Sequence, residues 1–180
     1  MGNYAEKISL CAMSKIFGFE PKIGLAMIAR IGSAAEIFRL GTKDIDGMLG
    51  PHSKYRGAIC SKALDDAEAM LESLSKSGAR FTGWTEDGYP QLLKECPDAP
   101  IGLYAKSSTQ DQELWSGRMP IAVVGTRDIS PYGREWCERI VHSLARTSAK
   151  PLIVSGLAIG TDICAHKAAL EAGLPTIAVM

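Results

Sequence analysis

The sequence has 180 residues, of which 46% are hydrophobic and 22% charged. These values are typical of a globular protein, and the length suffices for one domain or two small ones. Lysine and arginine together number 20, as do aspartate and glutamate, so net charge gives no indication of a nucleic-acid partner. The five cysteines lack C-x-x-C spacing and the three histidines lie far apart, which argues against a disulfide framework and a zinc site.

The N-terminal segment does not resemble a secretion signal, because Glu6 and Lys7 interrupt it. No stretch approaches the roughly 18–20 apolar residues of a membrane span. We therefore predict a cytoplasmic protein that makes no membrane contact and whose cysteines are free thiols.

Residues 1–78 are predicted to form a small all-helical domain, because apolar residues recur there at helical spacing. Ser33 followed by Glu36 matches a capping box at the start of one helix. The segments Lys22 to Gly24 and Arg30 to Gly32 are interpreted as turns between helices. Such turns either hold a DNA backbone or serve packing alone.

Residues 79–180 are predicted to form a second, α/β domain. After two early strands, an alternation of strand, helix, strand, helix and strand predicts a parallel sheet with right-handed crossovers. The segments are 121–124, 131–145, 152–154, 160 or 161–172 and 176–179. The continuous apolar run of 121–124 predicts a strand buried on both faces, and 152–154 is predicted to be a second buried strand. Because three strands make only half of a Rossmann-like sheet, we expect the natural domain to continue beyond Met180.

Two glycine-containing segments follow the first and second strands of this sheet, V-V-G-T-R at 123–127 and V-S-G-L-A-I-G-T-D at 154–162. Ligands of open α/β sheets bind at the carboxyl ends of the strands. Gly125, Gly156 and Gly160 allow tight turns and close backbone approach, and amides at helix starts form anion sites.

Arg127 adds a forked guanidinium for a phosphate, and Thr126 and Ser155 add hydroxyl donors. The sequence thus predicts a phosphate-binding crevice; the alternative is that the glycines only turn the chain. Arg127 either contacts the ligand, which we favour, or pairs with Asp128 or Glu135. The G-x-G-x-x-G and Walker patterns are absent.

Asp162 and His166 admit both a catalytic and a structural interpretation. Asp162 is either a catalytic acid or, as we favour, a helix N-cap. His166 lies one turn further along, where it pairs with Asp162 or makes a structural hydrogen bond, which we favour. Trp84, Tyr89 and Trp115 are candidates for base stacking, although core packing is the more common role of scattered aromatic residues.

These segments resemble the signature block of the DprA/Smf family. The resemblance rests on V-G-T-R at 124–127, Tyr132-Gly133, S-G-L-A-I-G-T-D-I-C-A-H-K-A-A-L at 155–170 and T-I-A-V at 176–179. D-G-Y-P at 87–90 and D-A-P-I-G-L-Y at 98–104 resemble the family's lead-in. Thr126 and Thr161 stand where the family has Ser and Ile. The helices of residues 1–78 resemble its SAM-like or helix-hairpin-helix-like domain.

The resemblance implies a non-catalytic protein that binds single-stranded DNA, protects it and helps to load the RecA recombinase during natural transformation. Arg127 resembles the family's phosphate-contacting arginine, Ser155 and Gly156 its binding loop, and Lys167 a basic residue that is otherwise a solvated surface lysine. A homodimer is implied for the full-length protein, with no cofactor or metal. The alternative function is a nucleotide-processing enzyme resembling nucleoside-monophosphate phosphoribohydrolases, whose catalytic Glu has no counterpart beside I-G-T-D at 159–162.

Overall fold

A computed structural model describes residues 2–107, 115 and 117–180. The chain forms two compact units, Met1–Gln112 and Glu113–Met180. None of the helices in the described residues has the length and apolar character that crossing a membrane requires.

The first unit contains six helices and a pair of strands in its described part. In chain order these are α1 (Gly2–Ile16), α2 (Pro21–Ile31), α3 (Ala34–Ile37), α4 (Thr42–Leu49), α5 (Ser61–Lys76), β1 (Ala79–Gly83), α6 (Gln91–Lys94) and β2 (Gly102–Lys106). The two strands pair antiparallel, with Phe81 opposite Tyr104.

The strand pair shares its core with the helices. Phe81 and Ile101 are buried in the same apolar cluster as Leu10 and Phe17 of the helical part. A Cβ added at Gly24 of α2 would meet the side chains of Ile101 and Phe17. The compact units therefore divide after β2, whereas the change in sequence pattern was placed at residue 78. That earlier boundary stays a prediction about domain organisation.

One of the two supposed turns lies inside a helix. Lys22 to Gly24 forms the first turn of α2, because Pro21 starts that helix and Gly24 is buried within it. The interpretation of Lys22 to Gly24 as a turn is therefore wrong. Gly32 does end α2: its φ is 87° and its N–H donates to the carbonyl oxygen of Ile28, as expected of a glycine after a helix.

Ser33 is the N-cap of α3, as predicted, and its hydroxyl accepts from the amide of Glu36 at 3.3 Å. The carboxylate of Glu36 does not complete the capping box, because it pairs with Arg39 at 2.6 Å. Glu6 of α1 instead accepts from the two amides that follow the N-cap, those of Ala34 and Ala35, at 2.7 and 2.9 Å.

In its described part, the second unit is a three-stranded parallel sheet with two helices. Its elements are β3 (Pro120–Ala122), α7 (Pro131–Ala145), β4 (Leu152–Ser155), α8 (Thr161–Glu171) and β5 (Thr176–Ala178). The strand order is β3-β4-β5, so both crossovers pass through a helix. Ile153 in the central strand is opposite Ile121 on one side and Thr176 on the other.

Burial in this sheet is uneven. Ile153 is fully buried, and Ile121 and Val123 pack towards the core formed by α7 and α8. Val124, however, is 79% exposed and Ala122 is exposed as well. The prediction that the first of these strands is buried on both faces is therefore wrong for the described residues. A continuous apolar run reports β-strand propensity, but it does not report which neighbours cover the two faces.

Candidate functional site

Two loops meet at the carboxyl edge of the sheet, and together they are called the crevice loops: residues 123–130 after β3 and residues 156–160 after β4. The carbonyl oxygen of Thr126 accepts from both the amide and the hydroxyl of Thr161, each at 3.1 Å. Thr161 is the first residue of α8. The first loop is thereby tied to the start of the helix that follows the second loop.

This close approach depends on glycine. Gly160 has a φ of 92°, and a Cβ there would collide with the carbonyl groups of Thr126 and Arg127. A Cβ at Gly125 would meet the side chain of Thr161. Gly125 and Gly160 therefore allow the backbones of the two crevice loops to lie against each other, as anion-binding turns require.

The two hydroxyl groups expected to serve a ligand lie in different environments. Ser155 is 3% exposed, and its Oγ donates to the carbonyl oxygen of Val123 at 2.6 Å. Its only hydroxyl hydrogen thus joins β4 to the end of β3 in this structure, and a role of the Ser155 hydroxyl as a donor to a ligand stays a prediction. Thr126 is exposed, and its Oγ1 accepts from the amide of Asp128 at 3.1 Å. The Thr126 hydroxyl hydrogen stays available for a ligand.

Arg127 is exposed on the first crevice loop. Within the described part of the chain, Arg127 forms an ion pair with neither Asp128 nor Glu135, the two alternatives to ligand contact. Glu135 instead pairs with Arg139, at 3.4 Å. The guanidinium of Arg127 is thus the cation that the crevice loops themselves present to solvent.

Asp162 does not cap α8. The N-cap is Gly160, and Asp162 is the second residue of the helix. Its carboxylate lies beside Gly156 and accepts from the amide of Ala158 at 3.4 Å. Asp162 therefore braces the second crevice loop from inside the first helical turn, and the N-cap interpretation is wrong.

His166 is a buried link between three elements. Its ring is 8% exposed, with Nε2 at 2.6 Å from the carbonyl oxygen of Gly156 and Nδ1 at 2.6 Å from Oγ1 of Thr176. Because a carbonyl oxygen only accepts, Nε2 carries the proton that it donates to Gly156. His166 therefore makes structural hydrogen bonds, the role favoured from the sequence. Its partners are Gly156 and Thr176, and it does not pair with Asp162. The described residues also contain no cluster of His, Cys, Asp and Glu that could hold a metal ion.

Lys167 points away from this buried link, because it is exposed whereas His166 and Ala168 beside it are buried. It is the seventh residue of α8, about 9 Å along the axis from the first. The structure thus brings Gly125, Thr126 and Arg127 together with Gly160, and it leaves Lys167 further along the helix.

Two cysteines lie beneath the crevice loops. Cys137 of α7 and Cys164 of α8 are both buried, and the Cys164 thiol lies 3.7 Å from the carbonyl oxygen of Arg134. The pKa of Cys137 is raised to about 12, mainly by burial and to a smaller extent by the hydrogen bond with the neighbouring Cys164 thiol. The Cys137 thiol is therefore protonated at neutral pH and acts as a small apolar group of the core.

The aromatic residues considered for base stacking are mostly occupied elsewhere. Tyr89 is 2% exposed and donates its hydroxyl to the carbonyl oxygen of Pro100 at 2.7 Å. Burial raises the pKa of Tyr89 to about 12. Trp84 is partly buried, and the ammonium of Lys94 lies 5.4 Å from its ring centroid. Trp84 and Tyr89 therefore serve packing in the first unit.

The sequence analysis did not single out one exposed face of α7. This face is formed by Tyr132, Trp136, Arg139 and Ile140 and is here called the α7 stripe. Tyr132 is 70% exposed, Trp136 41% and Ile140 52%. Their spacing of four residues on a predicted helix was a signal that these three side chains share one face. What the spacing did not reveal is that this face is uncovered by the rest of the second unit.

The geometry defines a class of protein: an open parallel α/β sheet with two joined, glycine-containing loops at its carboxyl edge, an arrangement typical of anion and phosphate sites. A family model described as DNA recombination-mediator protein A matches residues 80–180. The chain therefore belongs to the DNA recombination-mediator protein A family.

Curated relatives and a solved structure agree with this assignment. The chain is 37% identical over 119 residues to the DNA processing protein DprA of Streptococcus pneumoniae, covering 65% of this chain and 38% of that protein. It is 34% identical over 164 residues to Protein Smf of a Synechocystis species, covering 88% of this chain and 40% of that protein. The chain thus spans less than half the length of either relative.

The X-ray structure of DNA processing protein A (DprA) from Streptococcus pneumoniae aligns with a TM-score of 0.63 and 28% identity. The alignment covers 97% of this chain and 54% of the solved one. The predicted fold class, a helical N-terminal part followed by a Rossmann-like parallel sheet, is confirmed by this match.

Proposed function

We propose that this chain is part of a non-catalytic protein that binds single-stranded DNA in recombination, and that the crevice loops bind its phosphate backbone. The observation that carries the proposal is the joining of the two crevice loops at Thr126 and Thr161 beside the exposed Arg127. Membership of a recombination-mediator family supports DNA as the phosphate-bearing ligand.

The chemistry of the crevice suits a phosphodiester. The start of α8 carries the positive end of a helix dipole, where main-chain amides favour an anion. Arg127 adds a full charge and a forked donor set, and Thr126 a hydroxyl. Gly156 and Gly160 leave room for the Asp162 carboxylate and for the carbonyls of Thr126 and Arg127 to lie against the second crevice loop. None of these groups selects one base over another, so we expect binding that tolerates any sequence.

The structural roles of Asp162 and His166 support a protein without catalysis. Both hydrogen bonds of the His166 ring are made inside the unit, and the Asp162 carboxylate faces Gly156 and Ala158. A nucleotide-processing enzyme needs a carboxylate and a nucleophile directed at the ligand. No observation on the described residues favours that alternative.

Strand protection, loading of the RecA recombinase, homodimer formation and a cytoplasmic location are proposed for the whole protein. Family membership supports them, since relatives in this family are named DNA processing proteins. Lys167 is proposed as a secondary phosphate contact, further along α8 than Arg127.

Arg127→Ala tests the proposal. We expect weaker binding to a fluorescein-labelled oligo-dT at every salt concentration, with the slope of log affinity against log salt reduced by about one, because one phosphate contact is lost. The same loss is expected for an oligonucleotide of mixed sequence. Fluorescence anisotropy titrations at several salt concentrations measure both quantities.

Arg39→Ala is the matched control, since Arg39 is equally an exposed arginine but lies in the first unit, paired with Glu36. It should bind oligo-dT as the wild type does. An Arg127→Ala protein with unchanged affinity and unchanged salt slope would remove Arg127 from the site.

A further inference from the structure

The α7 stripe is an exposed face that the second unit itself does not use. One side of α7 buries Cys137 and Val141 in the core. The other side presents Tyr132, Trp136 and Ile140 at 70%, 41% and 52% exposure. Large apolar side chains exposed singly are common, but a contiguous group of them marks an interaction surface.

The rings and the guanidinium of the α7 stripe are already arranged as a group. The ring centroids of Tyr132 and Trp136 lie 6.1 Å apart with the planes inclined at 63°. The guanidinium carbon of Arg139 lies 4.7 Å from the Trp136 centroid, over the ring. This arrangement places a cation beside two exposed π surfaces, a combination that suits an aromatic and negatively charged ligand.

The charge around the stripe favours a polyanion. Residues 127–150 contain five basic and three acidic side chains: Arg127, Arg134, Arg139, Arg146 and Lys150 against Asp128, Glu135 and Glu138. Glu135 and Arg139 pair with each other at 3.4 Å, which leaves four basic and two acidic side chains in this segment. The whole chain has no net charge, so this basic excess is local to the crevice loop and α7.

The stripe begins close to the crevice. Tyr132 follows Arg127 by five residues, so their Cα atoms are at most about 18 Å apart. From Tyr132 to Ile140 the stripe continues for about 12 Å along the helix. A strand whose phosphates lie in the crevice loops therefore has exposed aromatic rings within a few nucleotides.

We propose that Tyr132 and Trp136 stack against bases of single-stranded DNA, and that Arg139 holds the Trp136 ring and faces the phosphates. The inference rests on the proposed function, because it extends the binding site from the crevice loops onto α7. Stacking on aromatic rings together with a positive surface is how single strands are bound without sequence preference.

The test compares oligo-dT with an abasic phosphodiester strand of the same length. Wild-type protein should bind oligo-dT more tightly than the abasic strand. The Tyr132→Leu/Trp136→Leu double variant should lose about thirty-fold or more in affinity for oligo-dT, since each of the two stacked bases contributes on the order of 1–3 kcal/mol. Its affinity for the abasic strand should stay unchanged, because no base is lost there.

Two further variants control for the loss of bulk and of folding. Tyr132→Phe/Trp136→Phe keeps the rings and should keep most of the preference for oligo-dT. Phe19→Leu removes a fully exposed ring of the first unit and should bind both strands as the wild type does. Circular dichroism of each variant establishes that α7 is intact, and oligo-dT should quench indole emission in the wild type but much less in Trp136→Leu.

The outcomes separate the stripe from the crevice. If the leucine double variant binds oligo-dT like the wild type while Arg127→Ala weakens both strands, the inference is overturned and the proposed function stands; the stripe would then be a surface for a protein partner. Equal losses of affinity for both strands also overturn the inference, because the rings would then not be stacking on bases. If the wild-type chain binds neither strand at low salt, the proposed function itself fails.

Discussion

At the scale of single residues, polar side chains in this chain act on backbone that is distant in sequence. Glu6 binds amides of Ala34 and Ala35, and His166 binds the carbonyl of Gly156. Glu36, the local alternative to Glu6, pairs with Arg39 instead, and Asp162, the local partner considered for His166, accepts from the amide of Ala158. Local motifs identify groups able to form such bonds, but the partner is chosen by tertiary proximity.

His166→Phe should destabilise the second unit by about 1–3 kcal/mol, because the carbonyl of Gly156 and the hydroxyl of Thr176 lose a buried partner. Urea unfolding followed by circular dichroism measures the change. Lys167→Ala is the matched control, since Lys167 is the exposed neighbour on the same helix and its loss should change stability by less than about 0.5 kcal/mol. Equal stability of the two variants would contradict the linking role of His166.

At the scale of elements, the crevice is made by the way two βα loops meet. The strands β3 and β4 bring the loops to one edge, and the hydrogen bonds from Thr161 to Thr126 then hold them together. Glycine is required where the backbones touch. The α7 stripe lies in the same unit. It is exposed because α7 packs on the core of the unit through one face and leaves the other face open.

Gly160→Ala should weaken both the second unit and its binding to oligo-dT. The added methyl meets the carbonyls of Thr126 and Arg127, and a φ of 92° is itself unfavourable for alanine. Gly173→Ala is the matched control: its φ is also positive, at 68°, but nothing lies within 4 Å of an added Cβ. We expect about 1–2 kcal/mol of destabilisation for Gly173→Ala with unchanged DNA binding, and more for Gly160→Ala.

Urea unfolding and the anisotropy assay with oligo-dT compare the two glycine variants directly. If Gly160→Ala and Gly173→Ala lost equal stability and both bound oligo-dT normally, contact between the crevice loops would not matter for the site.

At the scale of the whole molecule, the chain consists of two compact units, and the first of them contains both helices and strands. The division reflects packing more than secondary structure. Phe81 and Ile101 complete the core that α1 and α2 begin. The change of sequence pattern at residue 78 marks where helices give way to strands, which need not be where one core ends.

Ile101→Ala tests this organisation. Ile101 is 1% exposed in the core shared with the helices, so its truncation should destabilise the helices of the first unit by about 2–5 kcal/mol. Hydrogen exchange of amides in α1 and α2 measures the loss. Leu92→Ala, at a side chain that is 60% exposed, should leave the same amides protected. Unchanged protection of α1 and α2 in Ile101→Ala would favour the boundary at residue 78.

The sequence by itself determined the order of strands and helices in the second unit, its parallel sheet, the two glycine segments and the family. These are set by local periodicity, by turn residues and by motif spacing, all of which are properties of short stretches of chain. Gly125, Arg127 and Gly160 were identified in this way.

Only the tertiary structure decided that the hydroxyl of Ser155 is used inside the sheet, that Asp162 braces a loop, that β3 has an exposed face and that Tyr132 and Trp136 are uncovered. Each of these depends on which groups meet in the packed chain, whether they are 32 residues apart, like Val123 and Ser155, or four apart, like Ala158 and Asp162. Burial and hydrogen-bond partners are properties of the packed chain, and no local pattern contains them.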